Sequence, residues 1–428
     1  MSPKPTVFAI DFGTSNSLLA AASPGKIYEP IPLDPEASDP TILRSALYFL
    51  RLDDGRFGSA AIRSLLEEGF RGRLIRSIKR HLPSRSFTAT MIGNRPAQLE
   101  DLIGAFLRAM RERACRHFDV DVRRTVMGRP ARFSNEPDDD ALAESRLLKA
   151  AKIAGFEEVT FCPEPVAAAY DFADDLQEPR VVLVADLGGG TSDFTIVRMG
   201  KGRFLPEDVL AVGGVATAGD AIDGALVRAT VAPHFGARAR YRVPLGSIDL
   251  DMPKQLIELL ASPADLTVVD RGKVVRQLES IRAGLLDRED RPKLDRFVAL
   301  VEDGLGFSLY EAVESAKRRL SEISETPINV DEPSLAITET ATRSELDRVA
   351  EKPVAAILEA LDKTLETAGI SADEIDIACL TGGTSRMPLV AAAIAARLPR
   401  AATRRLRSFH SVVVGLAHRA REIAEKTP

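Results

Sequence analysis

Apolar residues follow two rhythms along this chain, one unbroken or of period two and one of period three to four, and the switches between them mark its elements. Short apolar runs at Thr6 to Ile10 and Ser17 to Ala21 flank Asp11, Phe12, Gly13, Thr14 and Ser15, which predicts a β-hairpin. The same phrase returns later, with Val181 to Ala185 and Phe194 to Arg198 flanking Asp186, Leu187, Gly188, Gly189, Gly190, Thr191 and Ser192. Between the two hairpins, strand signals at Ser45 to Leu52, Val122 to Met127 and Glu158 to Cys162 alternate with helical periodicity. Helices are predicted at Ser59 to Glu68, at Leu99 to Phe118 and from Asp138 to a stop at Gly155. An Ala-rich helix, Val166 to Phe172, and a connector, Asp174 to Pro179, lead into the second hairpin.

Beyond that hairpin the rhythm weakens. Pro244, Pro253, Pro263 and Pro292 interrupt short helical patterns between Val231 and Gly306, which reads as a helical subdomain. A helix at Tyr310 to Leu320 follows, then strands at Ile328 to Val330 and Ser334 to Thr338, then a pair of amphipathic helices within Arg343 to Ala368. A strand at Ile375 to Leu380, a helix at Leu389 to Leu398 and a closing helix at Ser411 to Lys426 complete the series.

The repeated phrase carries the chemistry. Glycine after a strand lets the backbone turn tightly so that its N–H groups converge, and converging N–H groups hold phosphate. The carboxylates of Asp11 and Asp186 repel a polyphosphate unless a divalent cation and its waters stand between them. One such loop is a common turn; two predict one metal-nucleotide gripped from both sides. Thr14, Ser15 and Thr191 supply hydroxyls to the phosphates, and Gly188 to Gly190 let the backbone approach. Lys79 is a candidate cation near the transferred group, although alone it reads as a surface lysine. Glu164, between Pro163 and Pro165, is rigidly presented and suits either a metal shell or a helix cap. Glu314, Lys317 and Arg318 share one helix face, which reads as a solvated ion-pair face or as nucleoside contacts. Gly382 and Gly383 offer bare backbone to a flat base, with Arg386 able to stack on it.

Composition narrows the class. A chain of 428 residues, 45% hydrophobic, buries large cores and is expected to form two or more domains. A net charge of −5 argues against general nucleic-acid or anionic-membrane binding. Three cysteines far apart indicate neither a disulfide framework nor a zinc site, and the five scattered histidines carry no assigned chemistry. The N-terminal stretch has no secretory pattern and no span is long and apolar enough for a membrane, so a cytoplasmic location is expected.

In order and spacing these motifs resemble the nucleotide-binding domain of the seventy-kilodalton heat-shock chaperones, the DnaK-like family, in a stand-alone YegD-like form. Ile10 to Ser15 resembles that family's first phosphate motif, Lys79-Arg80 its lysine, Glu164 to Ala169 its connecting motif and Asp186 to Asp193 its second phosphate motif. Glu314 to Arg318 and Gly382 to Pro388 resemble its adenosine motifs. The resemblance implies an α/β, actin-like ATPase fold: two lobes, each an RNase H-like mixed sheet with flanking helices, around a nucleotide cleft. Lobe I is expected over 1–180, completed by 400–428, and lobe II over 181–399 with an enlarged helical subdomain at about 224–306. It further implies MgATP as ligand, hydrolysed slowly to ADP and phosphate with lobe closure. Lys79 and Asp186 would activate water, Asp11, Glu164 and Asp186 would hold Mg2+ largely through water, and Thr191 would complete the shell. Gly13, Thr14, Ser15, Asn16 and Gly188 to Thr191 would hold phosphates; Glu314, Lys317, Arg318, Ser321, Gly382, Gly383, Thr384, Ser385 and Arg386 would hold the nucleoside.

Several departures accompany the resemblance. The linker and peptide-binding β-sandwich are expected to be missing after the closing helix, the interval from Asp220 to Glu314 is long, and Ala218 to Asp223 keeps only part of the family's segment. Phe409 to Val413 stands where an acidic residue is usual. The implied role is chaperone-type, with a protein client or co-chaperone as partner. An actin-like assembly protein and a small-molecule kinase are the competing readings.

Overall fold

Each glycine loop tips a hairpin, and each hairpin seeds a sheet of the same strand order. The computed structural model describes residues 3–130, 132–134, 136–164, 166–168, 178–200, 208–243, 246–405 and 410–426. In the first sheet, β1 (Val7–Phe12) pairs antiparallel with β2 (Asn16–Ser23), whose other edge pairs with β3 (Lys26–Tyr28). On its other side β1 pairs parallel with β4 (Arg124–Arg129), which pairs parallel with β5 (Glu158–Pro163). The second sheet repeats this with β6 (Arg180–Leu187), β7 (Ser192–Met199), β8 (Val209–Val215), β9 (Ile377–Thr381) and β10 (Ala402–Arg405). The orders β3-β2-β1-β4-β5 and β8-β7-β6-β9-β10 are therefore equivalent, with hairpin pairs antiparallel and the remaining pairs parallel.

Central strands covered on both faces need continuous apolar sequence, which is why β1 and β6 read as unbroken runs. One face of the first sheet packs on the helices α1 (Leu99–Phe118) and α2 (Pro137–Ile153), which approach so closely that a Cβ on Gly104 would lie 2.8 Å from the Ile153 Cβ. The second sheet packs one face on α6 (Arg343–Ala368), in a core that extends through α3 (Gly219–Leu226), α4 (Lys254–Leu260) and α5 (Gly306–Leu320). The other faces share a core with α7 (Ser411–Lys426), where Val413 and Leu416 meet Ala9, Ala20, Val184 and Cys379.

The structure changes several expectations. Arg343 to Ala368 is one helix rather than two: Thr342 caps its start by accepting from the Glu345 N–H, and it runs through Pro353 to Gly369, at φ +67°. Proline costs the helix a hydrogen bond, but Leu346, Ala350, Val354, Ile357 and Leu361 hold it against the core. The strand expected at Val122 to Met127 lies at Arg124–Arg129, and that expected at Ser334 to Thr338 lies at Ile337–Thr342, paired with Glu325–Val330. The 231–306 region is mostly helical but carries a ribbon of Arg240–Tyr241 with Leu250–Asp251. The strand expected over Ser45 to Leu52 is confined to Ala46–Phe49, and its partner Arg73–Arg76 was not anticipated. Residues 169–172 of the Ala-rich helix, 174–177 of the connector and Phe409 lie outside the described residues.

Candidate functional site

The two hairpins close alike. The Gly13 N–H donates to the Asn16 carbonyl at 3.1 Å, and the Gly188 N–H to the Thr191 carbonyl at 3.0 Å. The tips face one another: a Cβ on Gly189 would lie 2.7 Å from Ser15 Oγ, and one on Gly190 would lie 3.1 Å from Thr14 Oγ1. Beside them opens a cavity of about 1040 Å3. Its wall includes every predicted site residue except Gly190, which lies between the hairpin tips, and Ser385, whose hydroxyl donates to the Gly382 carbonyl at 2.7 Å.

Charge collects at the cleft floor. Lys79 sits in the short helical turn Ile78–His81, entered through Ser77 at φ 53°, a left-handed conformation uncommon for a non-glycine residue. Its ammonium donates to Glu164 Oε1 at 2.7 Å, and both side chains are more than nine-tenths buried. In the β6–β7 register Asp186 stands opposite Asp193, which is buried. Burial, then Glu164, push Asp186 up to about 7; burial, then Glu164 and Asp186, push Asp193 up to about 8. Asp11 is held well above the usual carboxylate range by burial and by Glu164, with Lys79 opposing. For Lys79 burial alone would lower the value, but Glu164 and Asp11 together raise it.

These groups fit a divalent cation, because burial first and the neighbouring Glu164 second disfavour the charged forms of Asp11, Asp186 and Asp193, a cost that a bound cation would offset. Among the described residues no three His, Cys, Asp or Glu side chains converge closely enough to hold an ion directly. Mg2+ usually keeps several of its waters, and carboxylates that do not converge on one point are compatible with such an ion.

The opposite side of the cavity is built on α5. Lys317 Nζ donates to Asp223 at 2.6 Å and to the Gly219 carbonyl at 3.3 Å, and burial pushes Asp223 up to about 6 against the pull of Lys317. Glu314 accepts from Arg76 at 3.3 Å; burial would raise its carboxyl, but Arg76 and Lys317 hold it lower. Arg76 and Arg44 also pair with Glu311, and Arg80 pairs with Asp220 at 3.4 Å, so several ion pairs bridge the cleft. Gly382, at φ +81°, follows β9 where a side chain would run into the Leu187 carbonyl, and Thr384 Oγ1 donates to the Gly188 carbonyl at 2.7 Å. Sequence reasoning missed Arg76, which lines the cleft, and the buried Asp193 behind it, for which the available signal was the hairpin register that sets it opposite Asp186.

A duplicated mixed sheet with two glycine-tipped hairpins around a polar cleft defines an α/β protein of the actin-like ATPase fold. A family model described as "Hsp70 protein" matches residues 78–240 and 305–424, and the chain belongs to that family. It is 27% identical over 328 residues to "Chaperone protein dnaK3" of Synechococcus elongatus, covering 75% of this chain and 35% of that protein. It is 26% identical over 402 residues to "Chaperone protein DnaK" of Halobacterium salinarum, covering 91% of this chain and 51% of that one. The chain thus spans about half, or less, of the length of these curated relatives. The matched stretches hold Lys79, Glu164, the second hairpin, Glu314 to Arg318 and Gly382 to Pro388; residues 241–304 fall between them.

Proposed function

We propose that the chain binds MgATP between its hairpins and hydrolyses it slowly to ADP and phosphate, coupling the reaction to closure of two lobes in a chaperone-type or protein-remodelling role. Lobe I is taken as 1–180 with 400–428, and lobe II as 181–399 with the helical subdomain at about 224–306. The observation that carries the reading is the buried Lys79–Glu164 pair facing Asp11, Asp186 and Asp193 beside two matched glycine turns.

Phosphoryl transfer asks the protein for position and charge rather than covalent work. Backbone N–H groups of Gly13 to Asn16 and Gly188 to Thr191 hold the phosphates, and Lys79 stabilises charge on the transferred group. Asp186 and Lys79 orient the attacking water, and Asp186 accepts its proton. Asp11, Glu164 and Asp186 would hold Mg2+, largely through water, and the ion would supply charge neutralisation at the phosphates. Glu314, Lys317, Arg318 and Ser321 take the ribose and one edge of adenine, and Gly382, Gly383 and Arg386 its face. The γ-phosphate joins both hairpins, so the triphosphate and diphosphate states favour different closure, which is what a protein client or co-chaperone would read. Among the described residues no helix is long and apolar enough to cross a membrane, and the free thiols Cys115, Cys162 and Cys379 suit a reducing compartment such as the cytoplasm.

Phosphate release by the wild type, Lys79→Ala and Asp186→Asn tests the assignment. Loss of release in both variants is expected; equal rates in all three would remove it.

A further inference from the structure

A second groove lies behind the nucleotide cleft, on the far face of α3. Its cavity is about 780 Å3 and is walled by α3, by the turn that follows it, by α6 and by α4. The floor is small and apolar: Ala221, Ala225 and Ala229 recur at a spacing of four, opposite Val349 and Pro353. The rim is cationic, with Arg228, Arg238, Arg348 and Lys352 against Glu258 and Glu345.

Four features make this more than a surface hollow. The cations outnumber the carboxylates two to one, in a chain whose net charge is −5. Arg228 pairs with Glu258 at 3.0 Å and Arg348 with Glu345 at 3.7 Å, which leaves the exposed side chains of Arg238 and Lys352 without a hydrogen-bond or ion-pair partner among the described residues. The turn that carries Arg228 and Ala229, Val227–Val231, is a π-helix, a wide turn that proteins rarely keep without a use. Finally, α4, which carries Glu258, lies within 241–304, between the stretches that match the family, so one wall is built from sequence outside them.

The geometry points to a docking groove for an acidic segment of a partner protein, whose small apolar side chains rest on the alanine floor while its carboxylates meet Arg238 and Lys352. Helix α3 connects this groove to the nucleotide cleft: Gly219, Asp220 and Asp223 face the cleft, Ala221 and Ala225 face the groove, and the Asp220 N–H donates to the Gly189 carbonyl at 2.7 Å.

The test is fluorescence anisotropy with a short labelled peptide of alternating Glu and Leu, at low salt, on the full chain. The wild type is expected to bind it, and the Arg238→Glu/Lys352→Glu double variant to bind about tenfold more weakly or worse. Melting temperature and labelled-ADP binding should be unchanged in that variant, since neither residue lines the cleft. Should the charge reversal not fold, Arg238→Gln/Lys352→Gln is compared instead, with a smaller loss expected. Equal affinity of wild type and variant, equal binding of the Lys-for-Glu peptide, or displacement of the peptide by inorganic phosphate at equal molar amounts would each overturn the proposal. So would sedimentation showing a second copy of the chain covering the groove.

Discussion

Asp193 provides a test of the cleft's electrostatics that needs no assumption about turnover. The residue is 2% exposed, and its carboxyl is pushed up to about 8, against an ordinary value of 3.8, by burial first and then by Glu164 and Asp186. The folded chain therefore holds a proton there that the unfolded chain releases. Wherever the folded state binds more protons, stability falls as pH rises. In the metal-free protein this loss develops as pH climbs from the ordinary carboxylate range through about 8. Going from pH 6 to pH 8 changes the folded-state protonation factor about fiftyfold, or about 2 kcal/mol, and for an unfolding unit of about 200 residues that lowers Tm by roughly 4–8 °C. Asp186, pushed up to about 7, and Asp11, held well above the ordinary range by burial, add in the same direction. His81, lowered chiefly by burial, acts oppositely but below its ordinary 6.5, and Lys79 titrates above the window. The assay is differential scanning calorimetry in chelator across that range, with Asp193→Asn beside the wild type. The variant should lose a measurable part of the slope, and saturating MgADP should flatten the wild type because a cation would replace the proton. A metal-free Tm that rises from pH 6 to pH 8, or an unchanged slope in Asp193→Asn, would refute the reasoning.

Three further outcomes are expected. Lys79→Ala leaves Glu164 buried without its partner and should cost about 3–5 kcal/mol at neutral pH, read by urea unfolding, with Lys79→Ala/Glu164→Gln recovering part of it. Arg76→Ala removes the contacts to Glu311 and Glu314 and the stacking over Phe307, so a labelled ADP should dissociate several-fold faster in stopped flow, an effect that should shrink at high salt. Leu416→Ala opens a hole in the core shared by α7 and both sheets and should cost about 2–5 kcal/mol while nucleotide affinity per folded molecule is retained.

The repeat was readable because it is local. An apolar strand, an aspartate, a glycine and a hydroxyl lie within a few residues of one another, and both hairpins form where Asp11 and Asp186 predicted them. The helices at Leu99–Phe118 and Ser411–Lys426 were equally plain, because a long amphipathic stripe with clear ends leaves little choice of register. Expectation failed where burial overrode local preference. Two helices were expected across Arg343 to Ala368, yet the core contacts on either side of Pro353 carry α6 straight through. Arg73–Arg76 is a strand whose sequence, Arg-Leu-Ile-Arg, says little until Ala46–Phe49 lies beside it. In the 241–304 region prolines and charges mask any period, and the ribbon there is too short to announce itself.

For the cleft, the residue types and their order were fixed along the chain: two acid-tipped glycine turns, a lysine, a proline-flanked glutamate and a basic helix face. Three-dimensional packing alone decided that Lys79 donates to Glu164, 85 positions away, that Arg76 reaches Glu314, and that Ser385 turns inward to its own backbone. Turn and helix propensities act over a few residues and are written in their own neighbourhood. Charge pairing across a cleft depends on which side chains folding strips of water together, and no short stretch of sequence contains both partners.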